Sequence, residues 1–360
     1  MKKVHNFSAG PCILPKSVLQ TASEALIDFE NTGLSLIEMS HRSKNVVGVM
    51  DKAQALVKEL LNVPDNYDVL FLQGGASLGF YTAALNFLKE NGKAYYINTG
   101  TWANNALKEA GLVGEAIELA SSKDGGFKHI PKGFEIPADG DYLHITTNNT
   151  IFGTQFQEIP KSPIPIIADM SSDIFSRPVN VSDYALIYAG AQKNMGPAGT
   201  TLFIVNRDLL GKTGRKLPSM LDYQVHAAKD SMYNTPPVFA FYVSMLTLQW
   251  LKDLGGVSEI EKINTAKANA IYAEIDRNPL FKGYTAVEDR SKMNATFNLV
   301  DDSHQETFDA IWKAAGISGI NGHRSVGGYR ASMYNALPLE SVEALVTAMK
   351  EFEAKVSVNA

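Results

Sequence analysis

The chain has 360 residues, enough for two domains around a large hydrophobic core. Apolar residues make up 45% and charged residues 20% of it, and its net charge is −5, which argues against nucleic-acid and anionic-membrane partners. Cys12 is the only cysteine, which excludes an intrachain disulfide and a thiolate metal cluster.

The N-terminus carries two lysines but lacks the apolar stretch of a signal peptide. The sequence contains no run of 18 apolar residues, the length that could span a bilayer. A single cysteine is typical of a small core residue in a reducing compartment. We therefore expect a cytoplasmic protein.

The first sixty residues predict an arm and two helices. Residues 5 to 14 form an extended arm with a turn at Gly10-Pro11. A helix opens at Pro15 and ends near Gly33, and another spans roughly 45 to 62 with apolar residues at helical spacing.

From residue 68 onward, apolar strands alternate with helices. Seven runs are typical of buried strands: 69–72, 93–98, 116–120, 143–147, 164–169, 185–189 and 200–205. Helices are predicted over 78–89 and 102–110. This alternation predicts an α/β domain with a mostly parallel seven-stranded sheet. Ligands of such sheets sit at the carboxyl ends of the strands, where we find Gly75, Thr99, Thr150, Asp169 and Lys193.

The pattern changes after Pro236-Pro237. Helices are predicted over about 238–254, 258–277 and 305–315 and from 338 onward, with strands over 295–300 and 329–333. We therefore expect a large domain over residues 15–254 and a smaller α+β C-terminal domain over 255–360. The N-terminal arm, residues 1–14, could pack against the smaller domain.

Lys193 is the strongest candidate for a catalytic residue. It lies between two predicted strands, in a loop with three glycines and a proline. A poorly solvated amine there would have a lowered pKa and act as a nucleophile, although a lone lysine in a turn is usually a surface residue. Asp169 closes the preceding strand. A lysine and an acid so placed fit a pyridoxal phosphate (PLP) site, in which the lysine forms a Schiff base and the carboxylate pairs with the pyridinium nitrogen.

Other residues could complete such a site. Gly74 to Ser77 lie between a strand and a helix and could cradle an anion, although a Gly-Gly pair often only makes a turn. Trp102 could stack on a ring and Thr150 could bond a phenolate oxygen, but a core tryptophan and a loop threonine are the ordinary alternatives.

Histidine–arginine pairs indicate an anionic substrate. His41-Arg42 and His323-Arg324, with Arg330 nearby, lie in Ser- and Gly-rich segments without neighbouring acids. Surface charge is one interpretation; docking of a doubly anionic substrate, with a carboxylate held elsewhere, is the other. No metal-ligand spacing, HExxH or GxSxG motif is present, which disfavours metal and serine-hydrolase chemistry.

Nearly end to end, the sequence resembles the phosphoserine aminotransferases, class V enzymes of PLP fold type I. The motifs that carry the resemblance are FSAGP at 7–11, SHRS at 40–43, QGGAS at 73–77, NTGTW at 98–102, NNT at 148–150, ADMSSD at 168–173, GAQKNMGPAG at 190–199, NTPP at 234–237 and GHRSVGGYRAS at 322–332.

The resemblance implies a role for each matched residue. Lys193 would hold PLP, Asp169 would pair with its ring nitrogen, and Trp102 would stack on the ring. Thr150 would bond the ring oxygen. The cofactor phosphate would be held by Ala76, Ser77 and Gln192, with Asn234 and Thr235 from the partner subunit. Arg330 would bind the substrate α-carboxylate. The substrate phosphate, or the distal carboxylate of glutamate, would be bound by His41 and Arg42 with His323 and Arg324 from the other subunit.

The same resemblance implies a homodimer with shared sites. It would transfer an amino group reversibly between glutamate and 3-phosphohydroxypyruvate in serine biosynthesis. Some members also act on phosphohydroxythreonine, on the way to PLP itself. Alternatives on the same scaffold are an alanine–glyoxylate aminotransferase and a desulfurase, for which Cys12 is poorly placed. A non-enzymatic nucleotide-binding protein would leave Lys193, Asp169 and Trp102 unexplained.

Overall fold

A computed structural model describes residues 3–358 of the chain. In this part, twelve strands and nine α-helices follow one another in the order β1 (His5–Asn6), α1 (Lys16–Ala25), α2 (Lys44–Leu61), β2 (Tyr67–Leu72), α3 (Gly75–Phe87), β3 (Lys93–Asn98), α4 (Thr101–Gly111), β4 (Glu115–Ser121), β5 (Tyr142–Thr146), β6 (Ile166–Asp169), β7 (Leu186–Gly190), β8 (Thr201–Asn206), α5 (Tyr223–Ala227), α6 (Val238–Asp253), α7 (Gly256–Arg277), β9 (Phe281–Gly283), β10 (Asn294–Leu299), α8 (Gln305–Ala314), β11 (Ile317–Ser318), β12 (Tyr329–Ser332) and α9 (Leu339–Val358).

A central sheet confirms the predicted α/β architecture. Its seven strands follow the order β2-β8-β7-β6-β5-β3-β4. The four pairs from β7 to β4 are parallel, and β8 alone runs against its neighbours β2 and β7. Every residue of β5, β6 and β7 is buried, as expected of a parallel sheet covered on both faces.

Helices cover both faces of this sheet. On one face, α2 and α6 pack against the alternate strand residues Ile145, Ala168 and Ile187. On the other, α3 and α4 pack against Ile167 and Tyr188, among others. The loop of residues 190–199 therefore follows β7 at the carboxyl edge of a sheet whose two faces are shielded from water.

A second hydrophobic core lies in the C-terminal part of the chain. The antiparallel sheet β12-β10-β9 packs with α7, α8 and α9. The rings of Phe281, Phe308 and Phe352 form T-shaped or tilted pairs with centroids 5.0 to 5.6 Å apart. β1 of the N-terminal arm pairs with β11 in parallel, His5 opposite Ile317. The domain boundary at residues 254 and 255 remains a proposal; α7, which begins just after it, contributes Ile260 to the first core and Ile271 to the second.

Two predicted helix boundaries are wrong. The first helix ends at Ala25 rather than near Gly33. A right-handed helix cannot continue to Gly33 because Glu30 and Asn31 have φ angles of +52° and +59°, and the Phe29 ring lies edge-on to Tyr242, 5.5 Å away. α3 begins at Gly75, three residues before the predicted start. Gly74 and Gly75 have φ angles of +103° and +66°, which glycine adopts easily, so the chain passes from β2 into the helix with almost no loop.

The short elements α5, β9 and β11 escaped prediction because each is five residues or fewer. No helix in residues 3–358 is both long and apolar enough to cross a membrane.

The second core should contribute strongly to stability. Phe308 is fully buried there, so Phe308→Ala is expected to lower the free energy of unfolding by about 3–5 kcal/mol. Val287→Ala, at a side chain that is 69% exposed, is the control and should change it by about 0.5 kcal/mol or less. Denaturant unfolding measures both. Equal effects of the two substitutions would contradict the assignment of this core.

Candidate active site

A cavity of about 350 Å³ opens at the carboxyl edge of the central sheet. It brings together nine of the residues selected from sequence: Ala76, Ser77, Trp102, Thr150, Asp169, Gln192, Lys193, His323 and Arg330. A larger groove of about 950 Å³, between residues 130–136 and 156–163, contains none of the candidates. The chemistry predicted from sequence therefore converges on the smaller cavity.

Lys193 lies on the wall of this cavity. Its Nζ donates a hydrogen bond to Thr150 Oγ1 at 2.7 Å. Burial lowers the pKa of Lys193 to about 8; the Asp169 carboxylate opposes this shift and the Arg330 guanidinium adds to it. At pH 7 about a tenth of the amine is therefore unprotonated, far more than in a solvated lysine, and this is the form that acts as a nucleophile.

Asp169 ends β6 and is buried. Burial is the main cause that raises the pKa of Asp169. The N–H of Ser171, which donates to Oδ1 at 2.9 Å, opposes this shift. The Ser171 hydroxyl in turn accepts the N–H of Gly190 at 3.1 Å, which ties the ends of β6 and β7 together. A buried carboxylate of this kind would be stabilised by a cationic partner in the cavity.

The start of α3 supplies an anion site. Gly75, Ala76 and Ser77 line the cavity in the first turn of the helix, where N–H groups have no partner within the helix. The N-terminal end of the helix dipole favours negative charge. Ser77 adds a hydroxyl, so this segment can hold a phosphate.

Two further cavity groups carry unpaired polar atoms. Thr146 Oγ1 and Arg330 Nε are buried without a hydrogen-bond partner among residues 3–358. The Nη1 of Arg330 donates to the Thr150 carbonyl at 3.2 Å, so its guanidinium faces the lysine side of the cavity. Unpaired buried donors and acceptors are costly, and a ligand would satisfy them.

His323 and Trp102 lie toward the mouth of the cavity. Burial and then the positive charges of Arg330 and Arg324 lower the pKa of His323, which shows that cations gather here without an acid to balance them. Trp102, in the first turn of α4, is 36% exposed, so its indole is free to stack on a ligand.

Five of the selected residues lie outside this cavity. His41 and Thr235 line a separate surface groove, and His41 Nε2 is buried there without a partner among the described residues. Asn234 Nδ2 donates to Gln73 Oε1 at 3.2 Å, just outside the α3 anion site. Arg42 and Arg324 are exposed. The cavity of one chain thus holds only part of the predicted set.

Sequence reasoning missed the contribution of the N-terminal arm to the cavity wall. Ala9 and Gly10 line it. Gly10 has a φ of +131°, and a Cβ at this position would lie 3.4 Å from Cγ of Lys193. Thr146 and Ser171 were also missed. The FSAGP motif lies in the arm, but its local sequence does not predict that the arm covers Lys193.

Taken together, these groups fit PLP. An amine with a lowered pKa could bind an aldehyde, a buried carboxylate could pair with a ring nitrogen, and a helix start could hold a phosphate, all within one cavity. The indole of Trp102 could cover the ring. The unpaired hydroxyl of Thr146 could also donate a hydrogen bond to the cofactor or accept one from it.

Comparison with known proteins agrees with this geometry. Residues 4–345 match the family model described as aminotransferase class-V. A phosphoserine aminotransferase of Flavobacterium johnsoniae is 62% identical over 357 residues, which cover 99% of this chain and 100% of that protein.

Solved structures point the same way. The phosphoserine aminotransferase of Bacillus circulans subsp. alkalophilus superposes with a TM-score of 0.95 at 43% identity, covering 99% of each chain. The PLP-bound phosphoserine aminotransferase of Trichomonas vaginalis gives a TM-score of 0.91 at 35% identity, covering 97% of this chain and 100% of that one.

The lowered pKa of Lys193 can be tested in the cofactor-free protein. Because the unprotonated amine reacts, the rate of acetylation of Lys193 by acetic anhydride should rise with pH around a midpoint near 8. Peptide mass spectrometry between pH 6 and 11 measures the rate. Exposed Lys262, whose pKa the Glu259 carboxylate raises, is the internal reference and should react only at higher pH. A common midpoint for both lysines would contradict the desolvation of Lys193.

Proposed function

The chain belongs to the phosphoserine aminotransferases of the class-V aminotransferase family, and we propose that it transfers an amino group between glutamate and 3-phosphohydroxypyruvate, giving 2-oxoglutarate and O-phosphoserine. One observation carries this proposal: a lysine with a lowered pKa, a buried acid and an anion-binding helix start share a cavity with uncompensated cations.

PLP, held by the groups described above, would supply an aldehyde that takes up the amino group and a ring that accepts electrons from the substrate. Lys193 Nζ would remove the proton from the substrate Cα as general base and, as general acid, deliver it to the cofactor carbon that carried the aldehyde; with the keto acid it would move the proton in the opposite direction. Its hydrogen bond to Thr150 aims the amine into the cavity. A pKa near 8 suits both roles at neutral pH.

Asp169 would keep the ring nitrogen protonated. Its carboxylate is fixed by the N–H of Ser171 and lies in a site where water is excluded. The protonated ring nitrogen would stabilise the Asp169 carboxylate. Because the site is buried, the attraction between these two charges is stronger than it would be in water. The residue therefore favours electron withdrawal by the ring without taking part in proton transfer to the substrate.

Arg330 would bind the substrate α-carboxylate. Its Nη1 donates to the Thr150 carbonyl, whereas its Nε has no hydrogen-bond partner among the described residues. The guanidinium can therefore still form two parallel hydrogen bonds to a carboxylate. This contact would orient Cα beside Lys193.

The distal anion of the substrate would be bound between two subunits. His323 lies in the same cavity as Lys193, whereas His41 lies in the groove shared with Thr235. For both His–Arg pairs to bind one anion, His41 and Arg42 of the partner subunit would have to reach the cavity of this chain. On this proposal His41 and Arg42 cross the dimer interface, whereas the sequence resemblance implied that His323 and Arg324 do so.

The alternative of an alanine–glyoxylate aminotransferase is less well supported. Glyoxylate offers no distal anion, and the cations near His323 would then have no ligand. A desulfurase would need a reactive thiolate. Cys12 donates from Sγ to the Lys193 carbonyl at 2.6 Å, and burial raises the pKa of its thiol to about 12.

The phosphate anchor is tested by an amino-acceptor panel with glutamate as donor. Arg324→Ala should lower kcat/KM for 3-phosphohydroxypyruvate by roughly 10- to 100-fold, since a hydrogen bond to a charged group is worth about 1.5–3 kcal/mol. Its kcat/KM for pyruvate, which has no phosphate, should change by about threefold or less. Arg207→Ala, at an exposed ion pair with Asp68, is the control. Equal losses with both acceptors would exclude a phosphate contact, and a wild-type preference for glyoxylate would favour the alternative.

Mixing two inactive variants tests the shared site. In a hybrid dimer of Lys193→Ala and Arg42→Ala chains, one cavity would combine an intact Lys193 with an intact Arg42 from the other subunit. After random reassociation, about a quarter of wild-type activity with 3-phosphohydroxypyruvate should return. If Arg42 acts in its own chain, no hybrid has an intact site and activity stays at the level of the single variants.

A further inference from the structure

Residues 333–337, between β12 and α9, form a turn that reaches the loop carrying Lys193; we call it the anchor turn. The Tyr334 hydroxyl donates to the Ala9 carbonyl at 2.9 Å, and Ala9 lines the cavity next to Lys193. The N–H of Asn335 donates to Oδ1 of Asn194, the residue that follows Lys193, at 3.0 Å. The anchor turn therefore contacts both the arm that covers Lys193 and the residue that follows it.

A buried lysine, Lys267 of α7, holds the anchor turn. Its Nζ donates to the carbonyls of Met333, Tyr334 and Leu337 at 2.9, 2.8 and 3.0 Å. The side chain is fully buried, and no carboxylate among residues 3–358 forms an ion pair with it. An ammonium has three donors, and here all three are used on one turn.

The burial of the Lys267 ammonium in this way costs free energy. Removing an ammonium from water without a counter-ion is unfavourable, and an apolar side chain would fill the same space at lower cost. The geometry indicates that the three carbonyls must be kept in a fixed orientation. What they fix is the path of the main chain at Tyr334 and Asn335.

Tyr334 connects the anchor turn to the N-terminal arm that covers Lys193. Its hydroxyl donates to the Ala9 carbonyl, and Asn294 Nδ2 donates to the Tyr334 oxygen at 3.2 Å. Gly10, next to Ala9, packs against the lysine, since a Cβ at this position would lie 3.4 Å from Cγ of Lys193. Tyr334 thus holds the part of the arm that shields the Lys193 side chain.

We propose that Lys267 is a positioning residue for amino transfer, which acts through the anchor turn to hold Asn194 and the arm at Ala9, and with them the amine of Lys193. This rests on the proposed function, since it assigns a role in that reaction. Lys267 does not touch the cavity. Its influence passes through the three carbonyls of the anchor turn.

Substrate anchoring should be independent of this chain of contacts. Arg330 lies in β12, where it pairs with Thr296 of β10, and its N–H donates to the Ile320 carbonyl at 2.7 Å. The strand ladder therefore holds Arg330 whatever happens to the anchor turn. Loss of Lys267 or of the Tyr334 hydroxyl should lower kcat while KM for glutamate changes little.

The experiment is a double-mutant cycle with Lys267→Met and Tyr334→Phe. Met keeps the length of the side chain without its donors, and Phe removes one hydroxyl. Each variant is expected to lower kcat about tenfold, with KM within about twofold, because small misplacements of a catalytic group are costly. Since both changes interrupt one path, the double variant should also lose about tenfold rather than a hundredfold. The controls are Lys262→Met on the exposed face of the same helix and Tyr284→Phe, which loses a hydroxyl bonded to the Gly126 carbonyl.

Lys193 acetylation in the cofactor-free protein gives a readout that does not depend on activity. Without the Tyr334 hydroxyl, the arm at Ala9 loses a hydrogen bond and water can reach the Lys193 amine, which stabilises the charged form. In Tyr334→Phe the pH midpoint of Lys193 acetylation should therefore rise above that of the wild type, whereas Tyr284→Phe should leave it unchanged.

Unchanged kcat in Tyr334→Phe, or losses that multiply to about a hundredfold in the double variant, would overturn the proposal. So would an unchanged acetylation midpoint in Tyr334→Phe. If Lys267→Met does not fold, Tyr334→Phe and its acetylation midpoint still decide. If the wild type fails to aminate phosphorylated acceptors, the proposed function fails, and the acetylation midpoint separately tests whether the anchor turn keeps the Lys193 amine shielded.

Discussion

Everything in this cavity depends on keeping one lysine amine out of water. A solvated lysine is protonated at neutral pH and cannot act as a nucleophile. Burial at the carboxyl edge of the sheet lowers the pKa of Lys193 to about 8, while the nearby Asp169 carboxylate limits the shift. The sheet provides this site because both of its faces are covered by helices, so that β6 and β7 end in a region without water.

The cavity also has an excess of unbalanced positive charge and unpaired polar atoms. The α3 start, Arg330 and His323 all favour anions, and no acid on this side of the cavity neutralises them. Such an arrangement is unfavourable in the free protein and becomes favourable when a doubly anionic ligand is bound. His41, buried with an unpaired Nε2 in a separate groove, suggests that one chain alone does not complete the anion site.

The C-terminal region does more than cover the large sheet. β12 carries Arg330, the anchor turn carries Tyr334 and Asn335, and both face the loop around Lys193. The N-terminal arm adds Ala9 and Gly10 to the same wall and pairs through β1 with β11. Contacts from both ends of the chain thus fix the lysine that the central sheet desolvates.

The sequence alone determined the seven strands of the sheet, the positions of Lys193 and Asp169 at strand ends, and the family. Buried parallel strands are recognisable as apolar runs, and ligand-binding residues follow them at one edge. Only the tertiary structure decided that α3 starts at Gly75, that the arm covers Lys193, that His41 lies apart from His323, and that Lys267 holds the anchor turn. The physical reason is that periodicity and conformational preference are local. The partners of Lys267 lie 66 to 70 residues away, and only packing of the whole chain brings such groups together.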